Sequence, residues 1–201
     1  MRDAHLPSFH FCARLARQPG TALKTDTMRT KRLILRELNH GDARRIALLA
    51  GDIDVARMTA RLPHPYTEFD AEDWIRGIED NEFVRGIDYD NYLIGLIGYT
   101  IDAKDRSAEL GYWIGKPWWG QGFVTEAAEA VIRHAFKVAR APRVTCCHFI
   151  DNAASARVIE KLGFRCVGVN KAYCLARDAE IDTIIYERKR PMTAFLWRGA
   201  A

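Results

Sequence analysis

The segment that most constrains the fold is 111–136, GYWIGKPWWGQGFVTEAAEAVIRHAF, where a predicted strand passes through a turn rich in Trp and Gly into a helix. From Val124 to Ala139, apolar or small residues recur at spacings of three and four, which indicates a helix with one buried face. The first N–H groups of a helix lack partners within it and carry partial positive charge. Because Gly120 and Gly122 let an anion come close to these N–H groups, the segment predicts a phosphate-binding loop.

The glycines alone do not identify a ligand. No Lys follows them as in the nucleoside triphosphate pattern G-x-x-x-x-G-K-[ST], and the dinucleotide pattern G-x-G-x-x-G is not met. A turn that only needs flexible backbone is therefore a competing interpretation. A second polar helix start, Asn152 with Ser155, follows the next predicted strand and favours a binding site, although plain helix capping would give the same pattern.

The chain of 201 residues is long enough for one domain with a full core. Residues 1–27 show no clear period and are predicted to be a tail or extension; a transit peptide is a second interpretation of this Arg-rich segment. Residues 28–190 form the predicted domain and 191–201 a C-terminal tail. Periodicity and turn residues predict strands at 32–38, 82–86, 92–101, 107–115, 143–150, 164–169 and 182–190, and helices at about 41–50, after Thr67, after Gly122 and from Asp151 or Asn152 to Gly163.

Charge and cysteine usage argue against several classes of partner. Half of the formal net charge of +4 lies in the first 27 residues, so no nucleic-acid partner is expected. No apolar run approaches the length of a membrane span. Five cysteines without a C-x-x-C pair predict free thiols in a reducing cytoplasm. No metal is expected at Cys146-Cys147-His148, because neighbouring strand residues point to opposite faces.

Two segments, AELGYWIGKPWWGQGFVTEA and DNAASARVIEKLGF, resemble in this order the signature segments of the GNAT superfamily of N-acetyltransferases. RTKRLILREL and PYTEFDAEDWI resemble its RimJ/RimL branch, which acetylates ribosomal-protein N-termini and other amines. The resemblance covers about residues 28–190. It implies an α+β fold of α/β/α GNAT type, with a mixed, mostly antiparallel sheet that splays between the strands at about 107–115 and 143–150 and carries helices on both faces.

The resemblance also implies acetyl-CoA as the acetyl donor and no metal. The family's loop pattern [Q/R]-x-x-G-x-[G/A] aligns with 119–124; Gly122 keeps the fixed glycine, whereas Trp119 and Val124 depart from the pattern. Loop N–H groups would hold the pyrophosphate, and backbone of the splayed strand would hold the pantetheine arm. The residues assigned to the cofactor by resemblance are Trp113, Ile114, Trp119, Gly120, Gln121, Gly122, Val124, Thr125, Asn152, Ser155 and Arg157.

Direct transfer requires a neutral amine beside the thioester. Because an α-amine has a pKa of about 7.7–8.0, a modest base suffices near neutral pH. By resemblance, Glu109 is the candidate base; an ion-paired or solvated Glu at a strand edge is the competing interpretation. A backbone N–H near Ile114 would stabilise the oxyanion.

The leaving thiolate also needs a proton or a hydrogen-bond donor. Ile159 stands where many family members have a Tyr acid, so the resemblance points to Ser155 as the acid or as a cofactor ligand only, with Tyr173 in reserve. An acyl-enzyme at Cys146 or Cys147 is not favoured, because neither thiol has a recognisable base partner in the sequence.

The sequence thus predicts an acetyl-CoA-dependent N-acetyltransferase that acts on a primary amine, either a protein N-terminus or a small molecule. A non-catalytic acyl-CoA sensor or interaction module is the alternative, because the family's Tyr is missing. The acceptor pocket is expected around 58–74 and the last hairpin, with Tyr66, Trp74 and Tyr92 as candidate lining residues. The resemblance also allows a homodimer.

Overall fold

A computed structural model describes residues 27–191, which form one eight-stranded sheet and five α-helices. The strands are β1 Met28–Arg29, β2 Ile34–Arg36, β3 Glu82–Tyr89, β4 Tyr92–Ile101, β5 Ala108–Ile114, β6 Arg143–Phe149, β7 Arg165–Cys174 and β8 Ala179–Lys189. The helices are α1 Ala43–Ala50, α2 Ile53–Ala56, α3 Glu68–Arg76, α4 Phe123–Lys137 and α5 Ala153–Lys161. The predicted tails lie outside the described residues except for Thr27 and Pro191.

The strand order is β1-β2-β3-β4-β5-β6-β8-β7, and every described pair is antiparallel except β5 with β6. These two parallel strands pair only at Ala108 with Val144 and at Glu109 with Thr145. Beyond Glu109 they separate, which leaves the β6-facing edge of β5 without a strand partner. The predicted splay of a mixed sheet is confirmed, and we call this gap the β5–β6 opening.

Helices cover both faces of the sheet, as predicted. The main core joins one face to α4 and α5, and includes the fully buried Val131 and Ile159. A smaller cluster on the other face joins Leu93 and Leu96 of β4 to α1 and α3. Complete burial of a Val or Ile side chain contributes about 1.5–3 kcal/mol, so both faces stabilise the sheet. None of the helices within residues 27–191 is long and apolar enough to cross a membrane.

Capping residues explain where the helices begin and end. Thr67 and Asp70 form a reciprocal capping box at the start of α3, which confirms the predicted N-cap. Asn152 rather than Asp151 caps α5, because its Oδ1 accepts a hydrogen bond from Ser155 N at 3.0 Å. Gly163 follows α5 with φ of +73°, a left-handed conformation that ends the helix at the predicted position.

Several elements differ from the sequence prediction: β1 was not predicted, β2 is shorter than the strand expected at 32–38, and β8 begins before residue 182. β3 continues through Tyr89, because Asp90 and Asn91, both at positive φ, make the tight turn to β4. β7 extends to Cys174, since its pairing with β8 continues past the expected end. The short helix α2 was not predicted; Asp52 caps it by accepting a hydrogen bond from Asp54 N.

Candidate active site

The turn between β5 and α4 has the backbone of an anion-binding loop. Gly120 and Gly122 have φ of +75° and +77°, which L side chains rarely adopt. A Cβ added at Gly120 would meet no atom within 4 Å, so the glycine is required by backbone conformation rather than by crowding. Within the described residues no side chain caps α4. The first N–H groups of this helix therefore remain available to an external acceptor.

Side chains on both sides hold the loop in place. The Trp119 indole Nε1 donates to the Ile114 carbonyl at 2.8 Å, which ties the loop to the end of β5. Arg32 donates to the Gln121 carbonyl at 3.1 Å and pairs with Glu126 at 2.7 Å. Arg32 was not predicted as a site residue, because it lies in the β1–β2 turn, far from the loop in sequence.

A surface hollow lies at the start of α4. Its lining residues are Lys31, Gly122, Thr125, Glu126, Glu129 and Lys161. Arg157 is exposed on α5, one helical turn before Lys161. Lys31 and Lys161 thus stand beside the positive end of α4, where they could contact phosphate groups. Two carboxylates line the same hollow, that of Glu126, which pairs with Arg32, and that of Glu129. Sequence reasoning missed both lysines, because only the folded chain brings them to the loop.

Val124 departs from the small residue of the family pattern, and its position explains why this is tolerated. Its side chain packs against the main core, on the inner side of α4. The additional methyl groups of this half-buried side chain therefore lie against the core.

The two faces of β5 present different groups at the β5–β6 opening. Trp113 packs against the cluster of α1 and α3, whereas Tyr112 packs against the main core with α4 and α5. Glu109 has the same strand parity as Trp113 and so faces the α1–α3 side. The opening therefore has a carboxylate on one side and the anion-binding loop on the other. An unpaired strand edge of this kind can hydrogen-bond an extended chain.

The environment of Glu109 suits a base. Burial raises the pKa of Glu109 to about 7, while the positive charge of Arg61 lowers it and the negative charge of Asp102 raises it. A carboxylate with a pKa near ambient pH is partly ionised and can both accept and release a proton.

The raised pKa of Glu109 also predicts a pH-dependent cost in stability. The folded state binds this proton more tightly than the unfolded chain, whose reference pKa is 4.5, so stability is lost as pH rises from about 4.5 to about 7. We expect Glu109→Gln to raise the free energy of unfolding at pH 8 by on the order of 1–3 kcal/mol, and to have little effect at pH 4. Urea unfolding at both pH values measures the difference. An equal effect at both pH values would contradict the assigned cause.

Ser155 faces the opening from α5. Its Oγ lies 2.8 Å from the Tyr112 hydroxyl, so the first turn of α5 and β5 are joined by a side-chain hydrogen bond. Ile159 is fully buried in the main core, so the position of the absent family Tyr is a packing position in this chain. Tyr112 was not predicted as a functional residue. Strand alternation, which places it on the face opposite Glu109, was the available signal.

Other candidate groups are not brought to the opening or lack the required chemistry. Tyr173 is exposed on β7, at the sheet edge, and its hydroxyl donates to Asp178. Burial raises the pKa of Cys147 to about 12 and that of Cys146 well above its usual value, which disfavours a nucleophilic thiolate. Within residues 27–191, His, Cys, Asp and Glu form no group of three or more that could hold a metal.

The segments expected to form the acceptor side contact one another. Leu175, at the β7–β8 connection, donates its N–H to the Ala60 carbonyl at 3.0 Å. Arg177 donates to the Arg57 carbonyl at 2.6 Å and pairs with Asp151 at 2.7 Å. The loop after α2 is thereby attached to the last hairpin and to the end of β6. The three aromatic candidates lie in different environments. Tyr66 and Trp74 pack against the smaller core, whereas Tyr92 is largely exposed.

Comparison with known proteins agrees with this geometry. Residues 32–165, well over half of the chain, match the family described as "Acetyltransferase (GNAT) domain". A crystal structure of the microcin C7 self-immunity acetyltransferase MccE in complex with acetyl-CoA and AMP superposes with a TM-score of 0.71 over 79% of this chain and 93% of that chain, at 21% identity. At this identity the likeness concerns the fold.

Two curated relatives come from Bacillus subtilis (strain 168). YdaF, provisionally named a ribosomal N-acetyltransferase, is 38% identical over 101 residues, which are 49% of this chain and 55% of YdaF. This chain therefore spans about half the length of YdaF. YoaA, an uncharacterized N-acetyltransferase, is 29% identical over 180 residues, which are 82% of this chain and 97% of YoaA. The resemblance is confirmed: the chain belongs to the GNAT acetyltransferase family, with a provisionally named ribosomal N-acetyltransferase among its relatives.

Proposed function

We propose that this protein transfers the acetyl group of acetyl-CoA to a primary amine by direct attack in a ternary complex. The observation that carries the proposal is the β5–β6 opening, which has Glu109 on one side and an uncapped helix start on the other. Family membership supports acetyl transfer in general, and the MccE complex supports acetyl-CoA as the donor.

The cofactor-binding residues of this proposal divide by the part of acetyl-CoA that they meet. The N–H groups of Gln121, Gly122, Val124 and Thr125 bind the pyrophosphate, and the backbone of Gly120 and Gly122 sets their direction. Backbone groups of Trp113 and Ile114 bind the pantetheine arm along the open edge of β5. Trp119 braces the loop, and Asn152 and Arg157 border the arm and the phosphates from α5. Bound acetyl-CoA supplies an acetyl thioester that an amine can attack.

The side chains have separate roles in the transfer. Glu109 accepts the proton of the attacking amine, and Arg61 keeps its pKa from rising further. An α-amine with a pKa of about 7.7–8.0 is close enough to that of Glu109 for efficient proton transfer. A backbone N–H near Ile114 stabilises the oxyanion, and the Ser155 hydroxyl donates a hydrogen bond to the departing sulfur.

A protein N-terminus is the acceptor class that we favour. Deprotonation of an α-amine near neutral pH costs little free energy, whereas deprotonation of a Lys amine, with a pKa of about 10.4, costs several kcal/mol. The provisional name of YdaF, a ribosomal N-acetyltransferase, supports an acceptor on the ribosome. The joined segments around Ala60 and Leu175 form the side from which the peptide would enter.

A non-catalytic acyl-CoA-binding module is the second candidate. The observation that favours it is Ile159, which leaves the position of the family's Tyr acid without a titratable group. This alternative predicts tight binding of CoA together with no amine-dependent release of CoA.

The distinguishing experiment measures free CoA thiol released from acetyl-CoA in the presence of peptide N-termini, polyamines or aminoglycosides. We expect saturable, amine-dependent release that is highest with a peptide N-terminus. If calorimetry shows that CoA binds but none of the three acceptor classes causes CoA release, the proposed activity is overturned in favour of the binding module.

The lysines of the hollow give a prediction for cofactor affinity. We expect Lys31→Ala and Lys161→Ala each to raise the Kd for CoA about three- to five-fold, the size expected of an exposed charge pair. The loss should shrink at high salt, because exposed charges are screened. Titration calorimetry at low and high salt measures both effects. Lys171→Ala, an exposed change on β7, is the matched control, and equal affinities for all three variants would exclude the lysines from the cofactor site.

A further inference from the structure

Two hydroxyl groups bridge the α4–α5 side of the β5–β6 opening. The Tyr112 hydroxyl and Ser155 Oγ are 2.8 Å apart. Tyr112 lies past the last β5 residue that pairs with β6, and α5 is the element that follows β6. This hydrogen bond therefore connects the two walls of the opening. Within residues 27–191 neither hydroxyl has another hydrogen-bond partner.

The chemistry of the two hydroxyls determines which one donates. Either oxygen could supply the proton on geometry alone. A phenol, with a pKa of about 10, is far more acidic than an aliphatic alcohol and is the stronger donor. If Tyr112 donates, the proton of Ser155 is directed elsewhere. The backbone N–H of Ser155 donates to Asn152 Oδ1 at 3.0 Å, which fixes the residue at the start of α5.

We propose that Tyr112 is a positioning residue that donates to Ser155 Oγ and so directs the Ser155 proton at the sulfur of the leaving CoA thiolate. This inference rests on the acetyl transfer proposed above. In the balanced step the N–C bond forms and the C–S bond breaks. The amine proton passes to Glu109, and the electron pair of the C–S bond leaves with the sulfur.

Neither hydroxyl gives up its proton in this step. A thiol has a pKa of about 8.5 and a phenol about 10, so transfer of a proton from phenol to thiolate is unfavourable. Burial raises the pKa of Tyr112, which keeps the phenol protonated. The pair thus acts by hydrogen bonding, and the thiolate takes its proton later from solvent.

The test is a double-mutant cycle of Tyr112→Phe and Ser155→Ala in the full chain. A hydrogen bond to a charged group corresponds to roughly a 10- to 100-fold effect, so Ser155→Ala should lower kcat by that factor. We expect Tyr112→Phe to lower kcat about 10-fold, with the KM for acetyl-CoA within about two-fold of wild type. The double variant should be no slower than Ser155→Ala alone, because both changes remove one interaction.

Three results would overturn the inference. If Tyr112→Phe keeps the wild-type kcat while Ser155→Ala is impaired, Tyr112 has no role in the transfer, and the proposed function remains intact. If the losses of the two single variants multiply in the double variant, the two residues act independently of each other. An alkaline fall in kcat that Tyr112→Phe abolishes would make Tyr112 the proton donor itself. If no variant, wild type included, releases CoA with any amine, the proposed function fails instead.

Discussion

Replacing Glu109 by glutamine is expected to lower kcat about 100-fold or more, the usual size of general-base catalysis. The change keeps the shape of the side chain and removes its ability to accept the amine proton. Because burial places the pKa of Glu109 at about 7, wild-type kcat/KM should rise with pH up to about 7 and then level off with respect to this group. The kcat/KM of the Gln variant should not show this rise with pH. Steady-state rates of CoA release between pH 5.5 and 9 measure both effects.

Glu187→Gln is the matched control for this experiment. Glu187 lies in β8, in register with Thr145, which is itself paired with Glu109 across the sheet. It pairs with Arg143 and Lys189 outside the opening, so its replacement should leave kcat within about two-fold of wild type. If Glu109→Gln were as active as Glu187→Gln, a water molecule or another group would have to be the base.

Replacing Gly122 by aspartate is expected to raise the Kd for CoA about 100-fold or more. Asp tolerates the positive φ of this position better than most residues, and a carboxylate near a helix N-terminus is stabilising, so the fold should persist. The same carboxylate would stand where the pyrophosphate binds. At about 4 Å and an effective dielectric constant of about 20, repulsion between two unit charges is about 4 kcal/mol. Titration calorimetry with CoA measures the loss.

Gly122→Asn separates charge from size in this test. Asn has the same shape as Asp and the same tolerance of left-handed backbone, but it carries no charge. We expect its Kd for CoA to rise no more than about 10-fold, since only crowding remains. Equal Kd values for the Asn and Asp variants would mean that no anionic group of CoA lies at the start of α4.

The strand–loop–helix unit could be predicted because its signals are local. Glycines at the turn, a stripe of small and apolar residues along α4 and a polar cap at Asn152 each act within a few residues of chain. Elements set by tertiary pairing were predicted less well. β7 continues to Cys174 because β8 lies beside it, and no residue within β7 itself determines that length.

The same distinction applies to the site. Glu109, Gly122 and Ser155 stand in recognisable motifs, so the sequence indicates them directly. Lys31 and Lys161 reach the same hollow from two different elements, and only the folded chain brings them together. Tyr112 lies inside a motif, but its contact with Ser155 depends on the separation of β5 from β6.

The proposed transfer requires acetyl-CoA to bind in the β5–β6 opening with its phosphates at the start of α4. Titration of ¹⁵N-labelled protein with CoA, followed by amide NMR, tests this binding mode. We predict saturation at one equivalent, with the largest shifts at the amides of 120–125 and 112–115. The binding mode would be contradicted if the amides of both segments did not shift and the largest shifts lay at the β7–β8 hairpin.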